Sequence, residues 1–87
     1  MIMPTIKLYA NLRTIAETKE LSIVGTSLRG VLNELMKRVP ALDGVILENG
    51  QIRPHFVITI NGHNATGLDV TVTEQDLIAI FPPIAGG

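Results

Sequence analysis

The chain contains no cysteine. This absence excludes disulfide bonds, thiolate nucleophiles and thiolate metal sites, and it is typical of proteins from a reducing compartment. Aromatic residues are also few, and the seven lysines and arginines are balanced by eight acidic residues, for a formal net charge of -1. A nucleic-acid-binding protein needs an excess of positive charge, and often stacking platforms. We therefore expect no nucleic-acid partner.

Long apolar runs are absent as well. The most apolar stretch, residues 77–81, is much shorter than the roughly 20 residues that a membrane-spanning helix requires. No basic leader followed by an apolar segment is visible at the N-terminus. We expect a cytoplasmic protein with no membrane partner. Because 46% of its 87 residues are hydrophobic and only 17% are charged, we expect a single packed domain.

Hydrophobic periodicity predicts the secondary structure. Alternation of apolar and polar residues predicts strands over residues 5–9, 19–24, 55–60 and 76–81, with a weaker strand near 64–66. One helix is predicted from apolar residues at helical spacing, which are Leu28, Val31, Leu32, Leu35, Met36 and Val39. The last strand is apolar on both faces, so we place it centrally in the sheet. If it runs beside the first strand, the connection makes the two strands parallel. The prediction is an α+β fold, with the helix on one face of a mixed sheet of four or five strands.

The segments between these elements show weaker signals. Residues 11–18 predict a loop that joins the first two strands, and residues 41–54 predict an irregular connector with several turn formers. Asn61-Gly62 predicts a tight type I′ turn. Gly30 inside the helix predicts a close approach of the helix to another backbone.

The polar residues of the folded part suggest no active site. His55 and His63 lack further ligands at a spacing suited to a metal, so we predict no metal site. Glu74 and Asp76 fall in a polar turn, where acidic residues are common, and we interpret them as solvated turn residues rather than as an acid-base pair. No bound cofactor is expected.

The ending "FPPIAGG" is the one segment with chemical promise. Proline after Phe81 holds the backbone extended, and Pro82-Pro83 favour a polyproline II conformation that projects the chain away from the sheet. The six residues after Phe81 can reach about 20 Å. Gly86 and Gly87 have no Cβ, so a narrow channel can close around them. From the residues alone, a frayed terminus and a polyproline ligand remain alternatives.

The terminal carboxylate of Gly87 is ionised at neutral pH and is a poor electrophile. Another enzyme must activate it before it can accept a nucleophile, for instance as an acyl-adenylate made from ATP. The ending "DLIAIFPPIAGG", together with the order of elements, resembles the small subunit of molybdopterin synthase, within the ubiquitin-like β-grasp sulfur carriers. The segments "YANLRTIAETKELSIV", "TSLRGVLNELMKRVPAL" and "IRPHFVITINGHN" resemble the opening hairpin, the helix and the middle strands of that family.

The resemblance implies a β-grasp domain over residues 1–81 and an extended reactive tail over residues 82–87. It implies that Gly87 is adenylated by a ubiquitin-activating-enzyme-like adenylyltransferase and converted to a thiocarboxylate with sulfur from a sulfur donor protein. The tail would insert into the large subunit of molybdopterin synthase and donate sulfur for molybdenum or tungsten cofactor synthesis. Gly86 would permit the narrow threading, and the partner contacts would come from Phe81, Pro82, Pro83, Ile84 and Ala85. The chain itself would not be catalytic.

Three alternatives stay open at this point. The same carrier chemistry can serve the synthesis of cysteine, thiamin or thiolated tRNA. A ubiquitin-like protein modifier would instead join Gly87 to lysines of other proteins. An interaction module with an inert tail would use neither chemistry. The chain departs from the family pattern in turns, at Thr18, Gln75 and Leu77, and these departures leave the pathway branch undecided.

Overall fold

Residues 1–83 are described by a computed structural model. It contains two α-helices and seven strands in this part of the chain. In chain order these are β1 (Thr5–Leu8), α1 (Asn11–Ala16), β2 (Glu20–Ser22), α2 (Leu28–Arg38), β3 (Leu47–Glu48), β4 (Gln51–Ile52), β5 (Val57–Ile60), β6 (His63–Asn64) and β7 (Leu77–Phe81), with a short 3-10 helix at Pro40–Leu42. Within residues 1–83, neither α-helix is long and apolar enough to cross a membrane.

Five strands form one mixed sheet in the order β2-β1-β7-β5-β6. The central strand β7 runs parallel to β1, with Ile78 beside Ile6, and antiparallel to β5, with Ile80 beside Ile58. The predicted central position of the last strand is confirmed. The last strand does lie beside the first, and the two are parallel, as expected for that arrangement. The α+β prediction is also confirmed, because the main helix packs on one face of this mixed sheet.

The core lies between α2 and the sheet. Helix α2 directs Leu28, Val31, Leu32 and Leu35 inward, and all four side chains are fully buried. Their partners on the sheet are the buried residues Ile6, Leu8, Ile58, Ile78 and Ile80. Each fully buried leucine or isoleucine contributes about 1.5–3 kcal/mol relative to an exposed one. No buried polar or charged side chain interrupts this layer in the described part of the chain.

Two segments are more regular than the sequence predicts. Residues 11–18 include the helix α1 instead of being a loop throughout, because Leu12 is fully buried and Ile15 packs against the core. The connector 41–54 contains a 3-10 helix and a hairpin of β3 and β4, although we predicted it to be irregular. These elements are too short to show a periodic pattern, and burial of single apolar residues stabilises them.

The predicted turn at Asn61-Gly62 is confirmed, with φ of 54° and 85° at the two residues. The Asn61 side chain also joins this turn to the start of β7. Its Nδ2 donates to Asp76 Oδ1 at 2.8 Å, and its Oδ1 accepts from the Leu77 backbone N–H at 2.9 Å. The other carboxylate oxygen of Asp76 accepts from the Thr73 backbone N–H at 2.7 Å. These hydrogen bonds favour the charged carboxylate and lower the pKa of Asp76.

Gly30 does not mark a close backbone approach, so that prediction is wrong. A Cβ added at Gly30 would meet only the Ser27 hydroxyl oxygen at 3.3 Å, the group that caps α2 by accepting from the Gly30 N–H. The close approach is instead at Gly25, where a Cβ would lie 2.6 Å from Val31 Cγ2 and 2.9 Å from the Val31 backbone nitrogen. The segment that leads into α2 therefore packs against the first turn of that helix, at Val31.

We predict that Gly25→Ala is much more damaging than Gly30→Ala. The new methyl group at position 25 must displace backbone as well as side chain, which should lower the free energy of unfolding by about 1–3 kcal/mol. At position 30 the methyl group of alanine would crowd the Ser27 hydroxyl slightly, while alanine favours the helix more than glycine does. These two effects oppose each other, so the net change in the free energy of unfolding should stay below about 1 kcal/mol. Urea unfolding of both variants measures the difference. Equal stabilities would contradict the packing assigned to Gly25.

Acid should destabilise the protein through Asp76. Because the folded-state pKa of Asp76 is below its ordinary value of 3.8, its contribution to stability is complete above that ordinary value and is lost as pH falls through the folded pKa. We expect the urea midpoint of the wild-type protein to fall below about pH 4, and to fall less in Asp76→Asn. Glu74→Gln, which removes a carboxylate from the same turn but none of these hydrogen bonds, should keep the wild-type acid slope. An Asp76→Asn profile as steep as the wild type would refute this role.

Candidate functional site

The candidate site lies where the chain leaves the central strand. Strand β7 ends at Phe81, and Pro82 and Pro83 follow it with half-buried and exposed side chains respectively. The other predicted site residues, Ile84, Ala85, Gly86 and Gly87, lie outside the described residues. The extended tail over residues 82–87 therefore stays a prediction, and the structure informs on the base from which it departs.

A stacked aromatic pair forms this base. The rings of Tyr9 and Phe81 lie 4.4 Å apart between centroids, with an interplanar angle of 18°. Parallel pairing brings them together, because Leu8 lies beside Ile80 in the register of β1 and β7. The Arg13 guanidinium carbon lies 5.2 Å from the Tyr9 ring centroid, within cation-π range. Its Nε donates to the Leu8 carbonyl at 2.9 Å, which holds the guanidinium in place.

Phe81 also belongs to an apolar row on the uncovered face of the sheet. Val57 of β5 lies directly opposite Phe81, and its side chain is 45% exposed. The neighbouring residues Ile58 and Ile80 point into the core, so Val57 and Phe81 point away from α2, since successive side chains alternate between faces. We call Tyr9, Phe81 and Val57 the aromatic row. Partly exposed aromatic and aliphatic groups of this kind are typical of the centre of a protein interface.

A groove of about 370 Å³ runs beside the two prolines. We call it the tail groove, and its lining residues are Asn11, Val45, Arg53, Pro54, His55, Phe56, Pro82 and Pro83. Its ionisable residues are Arg53 and His55, and none of the lining residues is acidic. Arg53 is fixed twice, because its backbone N–H donates to the Ile46 carbonyl and its Nη1 donates to the Gly44 carbonyl, both at 2.9 Å.

Backbone strain occurs on both sides of this base. Ala10 has φ of 53° and ψ of -133°, and His55 has φ of 71°. Such conformations are uncommon for residues other than glycine and cost about 1–3 kcal/mol each. Ala10 connects Tyr9 of the aromatic row to Asn11 of the tail groove, and His55 is part of the groove. Positive φ also occurs at Glu17, Asn49 and Asn61, and Ala10 and His55 are the two such residues that flank the departure of the tail. Strained residues often occur at functional positions in proteins.

The remaining polar candidates do not assemble into a site. Within residues 1–83, no group of three or more histidines and acidic residues could hold a metal ion. Asp76 is engaged in the turn hydrogen bonds described above, at the opposite end of β7 from Phe81. The sequence prediction named Phe81, Pro82 and Pro83 but missed Tyr9, Arg13 and Arg53. The sequence allowed a parallel pairing of the first and last strands, and following that pairing to the ends of both strands could have identified Tyr9.

Comparison with known proteins gives a consistent family. The model of the ThiS family matches residues 6–87. The chain is 35% identical over 60 residues to small archaeal modifier protein 3 of Haloferax volcanii, a match that covers 66% of this chain and 65% of that protein. The chain therefore spans slightly less than two thirds of the length of this relative.

Two solved structures resemble the whole chain. The solution structure of small archaeal modifier protein 1 from Methanosarcina acetivorans has a TM-score of 0.88 and 37% identity, covering 100% of this chain and 98% of that one. A putative molybdopterin converting factor, subunit 1, from Pyrococcus furiosus has a TM-score of 0.80 and 23% identity, covering 97% and 100% of the two chains. This second likeness shows a shared fold and nothing more.

The aromatic stack should be measurable in the folded protein. An aromatic pair typically contributes about 0.5–1.5 kcal/mol beyond its buried area. We expect Tyr9→Ala to lower the free energy of unfolding by at least this amount. The ring protons of Phe81 should also shift in the NMR spectrum. Tyr9→Phe keeps the stack and should stay close to the wild type in both measurements. Identical Phe81 shifts in Tyr9→Ala and wild type would show that the two rings do not stack in solution.

Proposed function

This chain belongs to the ThiS family of ubiquitin-like sulfur carriers, and on that premise we propose that it is the sulfur-carrying small subunit of a molybdopterin synthase. The observation that carries the proposal is the ending of the chain. The match to the family model continues to Gly87, and two prolines separate the central strand from the last four residues. The chain is a carrier in this proposal and is not catalytic by itself.

The proposed chemistry takes place on the carboxylate of Gly87. On a ubiquitin-activating-enzyme-like adenylyltransferase, the carboxylate attacks the α-phosphate of ATP, pyrophosphate leaves, and an acyl-adenylate forms. Sulfide-level sulfur (HS⁻) supplied by a sulfur donor protein then attacks the acyl carbon, AMP leaves, and a thiocarboxylate forms. In the large subunit the thiocarboxylate sulfur attacks a carbon of a pterin precursor and displaces an oxygen leaving group, which gives a thioester. Water then cleaves the acyl–sulfur bond, which restores the Gly87 carboxylate and leaves the sulfur on the pterin. ATP is held by the adenylyltransferase, so the carrier needs no cofactor of its own.

The described residues support this role by fixing the start of the tail. Strand β7 is paired with β1 as far as Ile80 and with β5 as far as Phe81, and the stack with Tyr9 holds the Phe81 ring against the sheet. A rigid base limits the conformations that the tail must lose when it enters a narrow active site, which favours binding. The aromatic row would supply the apolar contact with the partner, and Pro82, Pro83, Ile84 and Ala85 would continue that contact along the tail.

A protein modifier is the second candidate, and it has equal support. The relative from Haloferax volcanii and the structure from Methanosarcina acetivorans, at 35% and 37% identity, are both small archaeal modifier proteins. In that case the adenylated Gly87 would be transferred to a lysine amine of another protein, forming an isopeptide bond. A carrier that feeds cysteine, thiamin or tRNA thiolation is a third possibility with the same first step. All of these functions require Gly87 to be adenylated.

Removal of Gly87 tests the proposal. We expect the deletion variant to fold like the wild type, because position 87 lies beyond the last strand, and to lose sulfur transfer completely. The assay reconstitutes molybdopterin formation from the carrier, the adenylyltransferase, a sulfur donor and the large subunit. Gly87→Ala is the matched variant, since it keeps the length and the carboxylate but adds a Cβ to the threaded tail, and it should transfer sulfur slowly. Unchanged molybdopterin formation by the deletion variant would refute the proposal.

A further inference from the structure

The positive charge at the base of the tail is local. The whole chain carries a formal net charge of -1, yet the ionisable residues that line the tail groove are Arg53 and His55. Arg13 adds a third basic side chain beside the aromatic stack. None of the residues that line the groove is acidic, and Asp76 lies at the other end of β7. The two ends of the central strand therefore differ in charge.

None of these basic groups is neutralised within the described residues. The ion pairs found over residues 1–83 are Arg29 with Asp69 and Lys37 with Glu34. The Arg53 guanidinium uses one of its five N–H donors on the Gly44 carbonyl. That hydrogen bond fixes the group at the groove while leaving donors for another acceptor. A preorganised guanidinium loses little entropy when it binds a carboxylate.

The groove also joins the surface that the tail would use. Pro82 and Pro83 form part of its lining, so a protein that takes hold of the tail also covers the groove. Phe56 and Val45 add apolar contact area to the charged edge. An apolar surface bordered by guanidinium groups is suited to a protein segment that carries both apolar and acidic residues.

We propose that the tail groove binds an acidic segment of the enzyme that adenylates Gly87, with Arg53 as the principal contact. This inference rests on the proposed function for the identity of the partner. It does not depend on the pathway branch, because carriers and modifiers both require adenylation. The bound anion is a protein carboxylate rather than the phosphate of ATP. Four residues can span about 12–14 Å when extended, so a phosphate that reacts with Gly87 would lie outside the groove.

The test compares charge variants in two assays with the adenylyltransferase of the same host. Direct titration without ATP gives the Kd of the complex, and ATP-pyrophosphate exchange gives KM and kcat for the carrier. We expect Arg53→Gln to raise both Kd and KM about tenfold and to leave kcat nearly unchanged, since the reacting carboxylate is untouched. Arg53→Glu should bind the adenylyltransferase more weakly than Arg53→Gln does, and Arg53→Lys should bind it more tightly than Arg53→Gln does. Increasing salt should weaken wild-type binding more than that of Arg53→Gln.

Arg38→Glu is the control, because it makes the same charge change as Arg53→Glu at the last residue of α2. It should leave Kd within about twofold of the wild type. Thermal unfolding of each variant checks that the fold is retained. If the wild-type carrier supports ATP-pyrophosphate exchange and both Arg53→Gln and Arg53→Glu keep the wild-type Kd, the groove assignment is wrong. The proposed function would still stand in that case.

The other outcomes separate the two proposals. Binding that depends on Arg53 without any ATP-pyrophosphate exchange would support the groove and contradict adenylation of Gly87. Absence of both binding and exchange in the wild type would overturn both. Titration of the carrier alone with magnesium-ATP, followed by NMR, should leave the Arg53 signals unchanged. Shifts that depend on ATP would assign the groove to a nucleotide phosphate and refute an acidic protein segment.

Discussion

The pairing of β7 on both of its edges is the constraint on which the rest of the molecule depends. The parallel pairing with β1 covers residues 77–80 of the strand, and the antiparallel pairing with β5 covers residues 78–81. Its buried side chains, Ile78 and Ile80, anchor the sheet against α2. The same pairing places Phe81 between Tyr9 and Val57. The described start of the tail, Pro82 and Pro83, therefore follows directly on a strand that is paired on both edges.

The base of the tail combines two surfaces with different chemistry. The aromatic row offers apolar contact on the face of the sheet that α2 leaves open. The tail groove offers guanidinium and imidazole groups beside Pro82 and Pro83. Strained backbone at Ala10 and His55 accompanies these surfaces, whereas the turn at Asn61 uses a positive φ that its Asn-Gly sequence favours. Ala10 and His55 are not glycines, so their positive φ costs free energy. The contacts that hold these two residues in place must therefore offset that cost.

Much of the fold could be predicted from the sequence because its main elements are periodic. The stripe on α2 and the two-sided apolarity of β7 are long enough to indicate their type and their burial. Helix α1 and the hairpin β3-β4 could not be predicted in this way, since each depends on one or two apolar residues, such as Leu12 and Leu47, that become buried only in the tertiary structure. Gly30 was misassigned for a related reason. A glycine can be assigned to a close contact only when the neighbouring element is known. In the structure the glycine in close contact with α2 is Gly25.

The candidate site divides along the same line. Phe81 and the two prolines follow from the sequence, while Arg13 and Arg53 reach the site through contacts between distant segments that no local pattern reveals.

The central claim is that Gly87 carries sulfur, and the most direct test is the intact mass of the protein purified from its native host during cofactor synthesis. The account predicts a fraction in which one oxygen at the C-terminus is replaced by sulfur. A wholly unmodified C-terminus, or Gly-Gly remnants on the lysines of other proteins without any thiocarboxylate, would contradict it.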